Sequence, residues 1–316
     1  MLSELRRNLG FAKQLWRSKR AIRNLLESKE QIFIADFPPG HFYSPIPALA
    51  DALAECDSAR KSAADSIHSI DLNDHGQKSR LQTFAPHYSD LPFPDKPKDG
   101  FRYYLDNPFF CYGDGIVLYS FLRQLKPRRI VEIGSGFSSA AMLDTADRFS
   151  NGSTEFTFIE PFPERLLGLL TSEDNKRCRI EAKGVQQVSY GLFECLEEND
   201  ILFIDSSHVG KAASDVLHIL FEILPRLRKG VVIHFHDIVW PFEYPRVWYE
   251  GGRAWNEAYF LRSFLQYNQV FEVLFFNSYM EVHHAEAIRA VMPKMLQSPS
   301  SNDTIGNSSL WLRKVA

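Results

Sequence analysis

Residues 131–139 read Val-Glu-Ile-Gly-Ser-Gly-Phe-Ser-Ser, an apolar run broken by Gly134 and Gly136 around Ser135. Glycines directly after a strand permit a tight turn and let a ligand approach the backbone, and the N-terminus of a following helix draws an anionic group. The same composition also makes an ordinary strand-to-helix turn. Glu160 closes the next apolar run, Phe156–Ile159. A carboxylate at the end of a strand can accept both hydroxyls of a ribose, although a carboxylate before Pro161 can equally cap a helix. Two further runs end in titratable groups: Asp200–Ile204 leads into Asp205-Ser-Ser-His208, and Gly230–Phe235 leads into His236-Asp237. An imidazole with its ordinary pKa of about 6.5 can take a proton from an alcohol at neutral pH. The blander readings are a capping or solvated His208, a core His234, and a His236–Asp237 pair that closes its strand by hydrogen bonding.

These residues need a scaffold that brings strand ends together. From residue 112 the pattern predicts helices at 114–125, 138–148, 164–170, 211–224, 256–266 and 285–296. It predicts strands at 129–133, 156–159, 179–182, 200–204, 230–235, 270–276 and 309–314. Alternation of this kind means βαβ units and a mostly parallel sheet, and continuous apolar strands mean helices on both faces. Ligands in such sheets lie at the carboxyl ends of the strands, beside the point where strand order reverses. Upstream, residues 31–35 read as a short strand, 36–47 as a proline- and aromatic-rich loop, 46–56 as a helix, and 57–111 as polar and mixed. The expected division is a helical and loop cap, 1–111, and a catalytic domain, 112–316.

With 316 residues, 45% hydrophobic and 24% charged, the chain is neither disordered nor a disulfide scaffold. A net charge of −3 gives no general affinity for nucleic acid. The four cysteines are scattered without a C-x-x-C pair and read as reduced thiols. No apolar run is long enough to span a membrane, and no signal-peptide core stands at the N-terminus, so a cytoplasmic location is expected. Residues 1–30 carry eight Lys/Arg against three Glu, with apolar residues at roughly helical spacing. That segment reads as a first helix docked on its own domain, the alternative being a basic amphipathic helix for a membrane surface or an acidic partner.

Together, Glu132-x-Gly134-x-Gly136, Glu160 after Phe158-Ile159, and Ile204-Asp205 resemble the class I S-adenosylmethionine (SAM)-dependent methyltransferases. The resemblance covers roughly residues 112–316 and implies a Rossmann-like sheet of seven strands whose last two form an antiparallel end. It implies that Glu132, Gly134, Ser135 and Gly136 face the methionine part of SAM, that Glu160 holds the ribose, and that Gln186 or Gln187 reads the adenine edge. It implies further that Asp205 lies beside the cofactor and that the segments carrying Tyr43 and Tyr112 fold over it. Asp205-Ser-Ser-His208 with His236-Asp237 is similar to the O-methyltransferases that act on sugar or natural-product hydroxyls. That similarity implies a small-molecule hydroxyl acceptor, catalysis by His208 and Asp205, with His208 as general base, and a divalent metal on Asp205, His236 and Asp237. His236 stands where that subset carries a carboxylate, and Mg²⁺ prefers oxygen donors; readings with and without metal both stand. Enzymes of this kind are often dimers, which leaves a homodimer open. Two rival functions share the glycine turn. An NAD-dependent oxidoreductase would want Gly or Ala where Ser139 stands and a shorter interval from Gly136 to Glu160. A methyltransferase-fold module could also bind SAM without turnover.

Overall fold

The computed structural model describes residues 36–61, 67–150, 152–301 and 305–316. The basic segment 1–30 and the strand expected at 31–35 lie outside the described residues. Two compact units divide the chain at Ala48/Leu49. In the first, Gly40 N–H bonds the Ile46 carbonyl, and Phe37, His41 and Tyr43 pack ring against ring.

The second unit is built on a seven-stranded sheet: β1 (Arg129–Ile133), β2 (Glu155–Ile159), β3 (Cys178–Glu181), β4 (Ile201–Ile204), β5 (Val232–Phe235), β6 (Phe271–Phe276) and β7 (Leu310–Lys314). Their order is β3-β2-β1-β4-β5-β7-β6, and only β7 runs antiparallel to its neighbours. β4 and β5 are buried at every residue, which is why they read as unbroken apolar runs. Strand order reverses between β1 and β4. Register does the rest: Ile133 pairs with Ile159 and with Ile204, and Ile204 pairs with Phe235. The next residue of each strand, Gly134, Glu160, Asp205 and His236, therefore falls in one row along the carboxyl edge. Gly134, Asp205 and His236 still donate their N–H groups to Ile159, Ile133 and Ile204.

The helices Tyr112–Leu125, Phe137–Phe149 and Glu257–Leu265 form close to where the pattern places them. Three segments differ from expectation. A helix occupies Asp74–Tyr88, inside the stretch read as polar and mixed; it buries only Gln77, Leu81 and Phe84. Gln77 compensates by bonding the Leu72 carbonyl at 2.6 Å and the Phe276 N–H at 2.7 Å, tying the helix to β6. In place of one helix over 211–224, a short helix Asp215–His218 capped by Ser214 widens into a π turn, Ile219–Ile223. Pro225 then permits only a 3₁₀ turn, since it has no N–H to continue the ladder. The last helix starts at Asn277, directly after β6, kinks at His284 and stops at Val291 before Pro293. Among the described residues, no helix is long and apolar enough to cross a membrane, and Cys111, Cys178 and Cys195 are free thiols.

Candidate functional site

The turn after β1 is held from below. Glu132 is wholly buried; its Oε2 accepts the Ser139 hydroxyl at 2.5 Å and its Oε1 accepts the Ser138 hydroxyl. Ser139 Oγ in turn accepts the Gly136 N–H at 3.0 Å. Burial outweighs both hydroxyl bonds and pushes the Glu132 carboxyl up to about 8. Glu132 thus shapes the turn from inside instead of facing the crevice. Gly134 has φ +78°, and a Cβ there would fall 1.8 Å from the Asp205 carbonyl oxygen. Only glycine lets β1 and β4 close up at this point.

Glu160 is fixed by two backbone donors, Ser135 N–H on Oε2 at 3.1 Å and Phe162 N–H on Oε1 at 2.9 Å. Each oxygen keeps a lone pair for another donor. Ser135 Oγ is buried and has no partner in the protein, which leaves its hydrogen-bonding capacity unused by the fold. Arg165, which the sequence reading passed over, packs its side chain near Gly136 and lays its guanidinium 4.0 Å from the Phe109 ring centroid. Its charge also helps hold Asp205 ionised.

The remaining residues expected at the cofactor spread out. Gln186 and Gln187 lie in a turn after β3; Gln186 Nε2 donates to the Ala213 carbonyl at 3.0 Å, while Gln187 is exposed. Tyr112 opens its helix with φ +24°, is buried, and has its hydroxyl bonded by Gln297 at 2.8 Å. Tyr43 lies in the first unit and is exposed.

The three carboxylates around His208 form the second half of the site. His208 is 5% exposed and has φ +60°. Its Nδ1 lies 2.9 Å from Glu257 Oε2, and its Nε2 lies 3.3 Å from Asp205 Oδ1 and 3.6 Å from Asp237 Oδ2. Asp237 is itself held by the Ser308 hydroxyl at 3.1 Å. Burial alone would lower the His208 pKa, but the hydrogen bonds to Asp205 and Glu257 and the charges of Glu257 and Asp237 raise it well above the ordinary value. The carboxylates around the ring thus favour its protonated form, where residue type alone gives an ordinary imidazole. Asp205 shifts the other way. Its burial is outweighed by the His208 hydrogen bond and by the charges of His236, His208 and Arg165, so its carboxyl is lowered. In the sequence, Glu257 stands in the stretch Trp255–Tyr259 that suits a pocket wall, and nothing there pairs it with His208.

The row does not form a metal cage. Among the described residues no three His, Cys, Asp or Glu groups converge on one ion. The His208 imidazole itself faces both Asp205 and Asp237, and His236 Nε2 lies 3.4 Å from the Phe109 carbonyl and 3.5 Å from Asp237 Oδ1. This donor set does not fit a divalent cation, and no step below uses one. His234 is the core histidine expected, bonded to Ser309 Oγ at 2.8 Å and stacked on Phe203.

One wall is aromatic. Trp255 lies 4.4 Å from the His208 ring and Trp248 5.2 Å from Trp255, with the Arg253 guanidinium over both indoles. Glu243 braces the loop by accepting the Tyr249 and Tyr259 hydroxyls at 2.5 and 2.9 Å. A separate cavity of about 440 Å³, lined by Ser69, Asn73, Tyr267 and Glu272 among others, opens at the start of β6 and the end of β7. By the antiparallel register of β7 on β5, that is the opposite edge of the sheet.

Comparison with known proteins agrees with this architecture. Residues 131–238 match the model of a methyltransferase domain family. A protein of Archaeoglobus fulgidus with no assigned function is 35% identical over 170 residues, which cover 52% of this chain and 76% of that protein. Among solved structures, the S-adenosylhomocysteine (SAH)-bound methyltransferase PaMTH1 of Podospora anserina is 16% identical, covering 90% of this chain and 100% of that one, with a TM-score of 0.39. The O-methyltransferase TomG of Streptomyces achromogenes is 15% identical, covering 75% and 89%, with a TM-score of 0.39. Residues 131–238 belong to a methyltransferase domain family, and the sheet order and glycine turn around them are those of the class I, Rossmann-like methyltransferase fold. The oxidoreductase alternative is thereby set aside.

Proposed function

We propose that this protein transfers the methyl group of SAM to a hydroxyl of a small molecule, a sugar or a natural product, with His208 as general base. The observation that carries this reading is the placement of His208 Nε2 beside Asp205, in the same edge row as Gly134 and Glu160. The residues fit the cofactor. Gly134 leaves no room for a side chain, Ser135 Oγ waits unpartnered, and Glu160 is oriented by two backbone donors. Gly134–Gly136 would hold the amino-acid end, Glu160 the ribose, and the loop with Gln186 and Gln187 the adenine.

Bound SAM would supply an electrophilic methyl on a positively charged sulfur. Three carboxylates around one imidazolium leave the cluster net negative, so it attracts a cation. A second positive charge nearby disfavours the proton on Nε2, which leaves to solvent and frees the lone pair. Nε2 would then take the acceptor's O–H proton, leaving its oxygen free to receive the methyl group that bound SAM would supply, with SAH as the product that leaves. Asp205 and Asp237 orient the base. Trp255, half-buried against His208, offers a flat face to a sugar or an aromatic ring. We assign the cofactor and acceptor chemistry to residues 112–316 and a covering role to 1–111.

The test is methyl transfer from radiolabelled SAM to a panel of catechol, 3,4-dihydroxybenzoate, glucose and glucuronate, with SAH titration calorimetry alongside. Glu160→Lys abolishes SAH binding. His208→Ala keeps SAH affinity and lowers turnover by about 10²–10⁴-fold, the range for a general base. Unchanged turnover in His208→Ala, or unchanged SAH affinity in Glu160→Lys, refutes the reading.

A further inference from the structure

Glu257 lies 49 residues after His208, on the first turn of the helix Glu257–Leu265. An acidic residue at a helix N-terminus is ordinary on an exposed surface, but Glu257 is only 1% exposed. Its Oε2 lies 2.9 Å from His208 Nδ1 and also accepts the Ser206 hydroxyl at 2.9 Å. Backbone contacts reinforce the pairing. Asn256 and Glu257 both donate their N–H groups to the His208 carbonyl, at 3.0 and 3.2 Å. The Asn256 side chain bonds Gly210 N–H at 2.6 Å and the Gly210 carbonyl at 3.2 Å. His208 N–H bonds Ser206 Oγ at 2.9 Å, and Ala258 N–H bonds the Tyr244 hydroxyl at 2.9 Å. The loop 205–210 and the start of the helix are thus zipped together around one imidazole.

The two ring nitrogens face different surroundings. Nδ1 meets a buried carboxylate. Nε2 faces Asp205 and Asp237, whose side chains are 38% and 17% exposed, so it looks toward the open crevice. A neutral imidazole carries one N–H, and the hydrogen bond made by one nitrogen decides which nitrogen is free to accept. We infer that Glu257 is the positioning residue of the base: it keeps the proton of neutral His208 on Nδ1 and aims the Nε2 lone pair at the acceptor hydroxyl. This rests on the assignment of His208 as base under Proposed function. It adds a residue that touches neither cofactor nor acceptor.

The full-length protein, labelled with ¹⁵N-histidine and loaded with SAM, provides the readout without an acceptor. The His208 resonances, assigned by their loss in His208→Ala, show a far-downfield, slowly exchanging Nδ1–H proton. Glu257→Gln, which keeps the shape and removes the charge, moves that proton upfield. With the best acceptor of the panel above, it lowers kcat by at least ~100-fold, as removal of a histidine-orienting carboxylate does elsewhere. The acceptor KM and SAH affinity change less than about threefold, because the residue acts on the base and not on binding. Glu257→Asp recovers part of the turnover. A wild-type spectrum without the downfield proton, a proton unmoved in Glu257→Gln, or a parallel loss of SAH affinity and turnover overturns the positioning role. An inactive His208→Ala beside a fully active Glu257→Gln overturns that role and leaves the base standing. A fully active His208→Ala removes the base, and the positioning role with it.

Discussion

Replacing Gly134 by alanine adds one methyl group at the tightest point of the sheet edge. The added Cβ carries two separable costs. Gly134 sits at φ +78°, where an L side chain is strained by about 1–2 kcal/mol. The Cβ would also lie 1.8 Å from the Asp205 carbonyl oxygen, and neighbouring groups must part by more than 1 Å to reach an ordinary contact. Both walls are backbone: Gly134 N–H bonds the Ile159 carbonyl at 2.9 Å, and Asp205 N–H bonds the Ile133 carbonyl at 2.8 Å. Forced overpacking of this kind costs about 1–3 kcal/mol, so the expected total is about 2–5 kcal/mol. Gly100 supplies the control, with φ +82° and no atom within 4 Å of an added Cβ. Gly100→Ala should therefore show the conformational part alone, about 1–2 kcal/mol. Urea unfolding of wild type and both variants measures the difference, which should reach at least ~1 kcal/mol. SAH calorimetry should show Gly134→Ala weakened by tenfold or more, because Ser135 and Gly136 shift with the turn, while Gly100→Ala binds normally. If the two variants unfold at the same urea concentration, the close approach of β1 and β4 is not where the structure puts it.

Other regions give independent tests. The folded state holds the Glu132 proton up to about 8 against an ordinary 4.5, so this group's stabilising contribution is complete below pH 4.5 and is lost as pH rises through 8. Thermal unfolding between pH 6 and 9 should show stability falling by up to ~1.4 kcal/mol per pH unit in wild type, and a shallower fall in Glu132→Gln. Arg102 binds Asp174 through Nε and Nη2 at 2.7 and 2.8 Å and Asp144 through Nη1 at 2.8 Å, with both carboxylates buried. Arg102→Ala should cost about 1.5–3 kcal/mol in urea unfolding, because Asp144 and Asp174 lose charged hydrogen bonds while Arg148 and Arg177 still neutralise them. Arg102→Lys should recover little, since an ammonium cannot reproduce the planar fork. Trp255→Ala should raise the acceptor KM about tenfold in the methyl-transfer assay and leave SAH affinity unchanged, as removal of a stacking face acts on ground-state binding.

What could be read without coordinates follows from how this sheet is made. β1, β4 and β5 are covered on both faces, so each is a mostly apolar run, with Gly134, Asp205 or His236 directly after it. Strand ends could therefore be located to within a residue or two, and the parallel register carries Gly134, Glu160, Asp205 and His236 into one row. The helix Asp74–Tyr88 escaped because it buries only three side chains, one of them Gln77, and so leaves almost no apolar stripe. The charge of His208 was equally out of reach. Residue type gives an imidazole, but its protonation depends on how many carboxylates surround it, and the nearest, Glu257, arrives from a separate helix.

This contrast runs along the line where strand order reverses. On the β1–β2–β3 side, each residue assigned to SAM sits in the first turn after its strand, and the glycine spacing is dictated by backbone closeness. A ligand bound by backbone and by strand ends leaves a short, local signature. On the β4–β5 side, the proposed base His208 meets Glu257, Trp255, and Asp237 held by Ser308, all from different segments. An acceptor recognised by such an assembly leaves no contiguous motif. Changes in the loop 238–260 can therefore alter the acceptor without touching the glycine turn, and the two halves should respond separately to mutation. Trp255→Ala and Gly134→Ala, combined, should show additive losses, since they share no partner and act on different ligands.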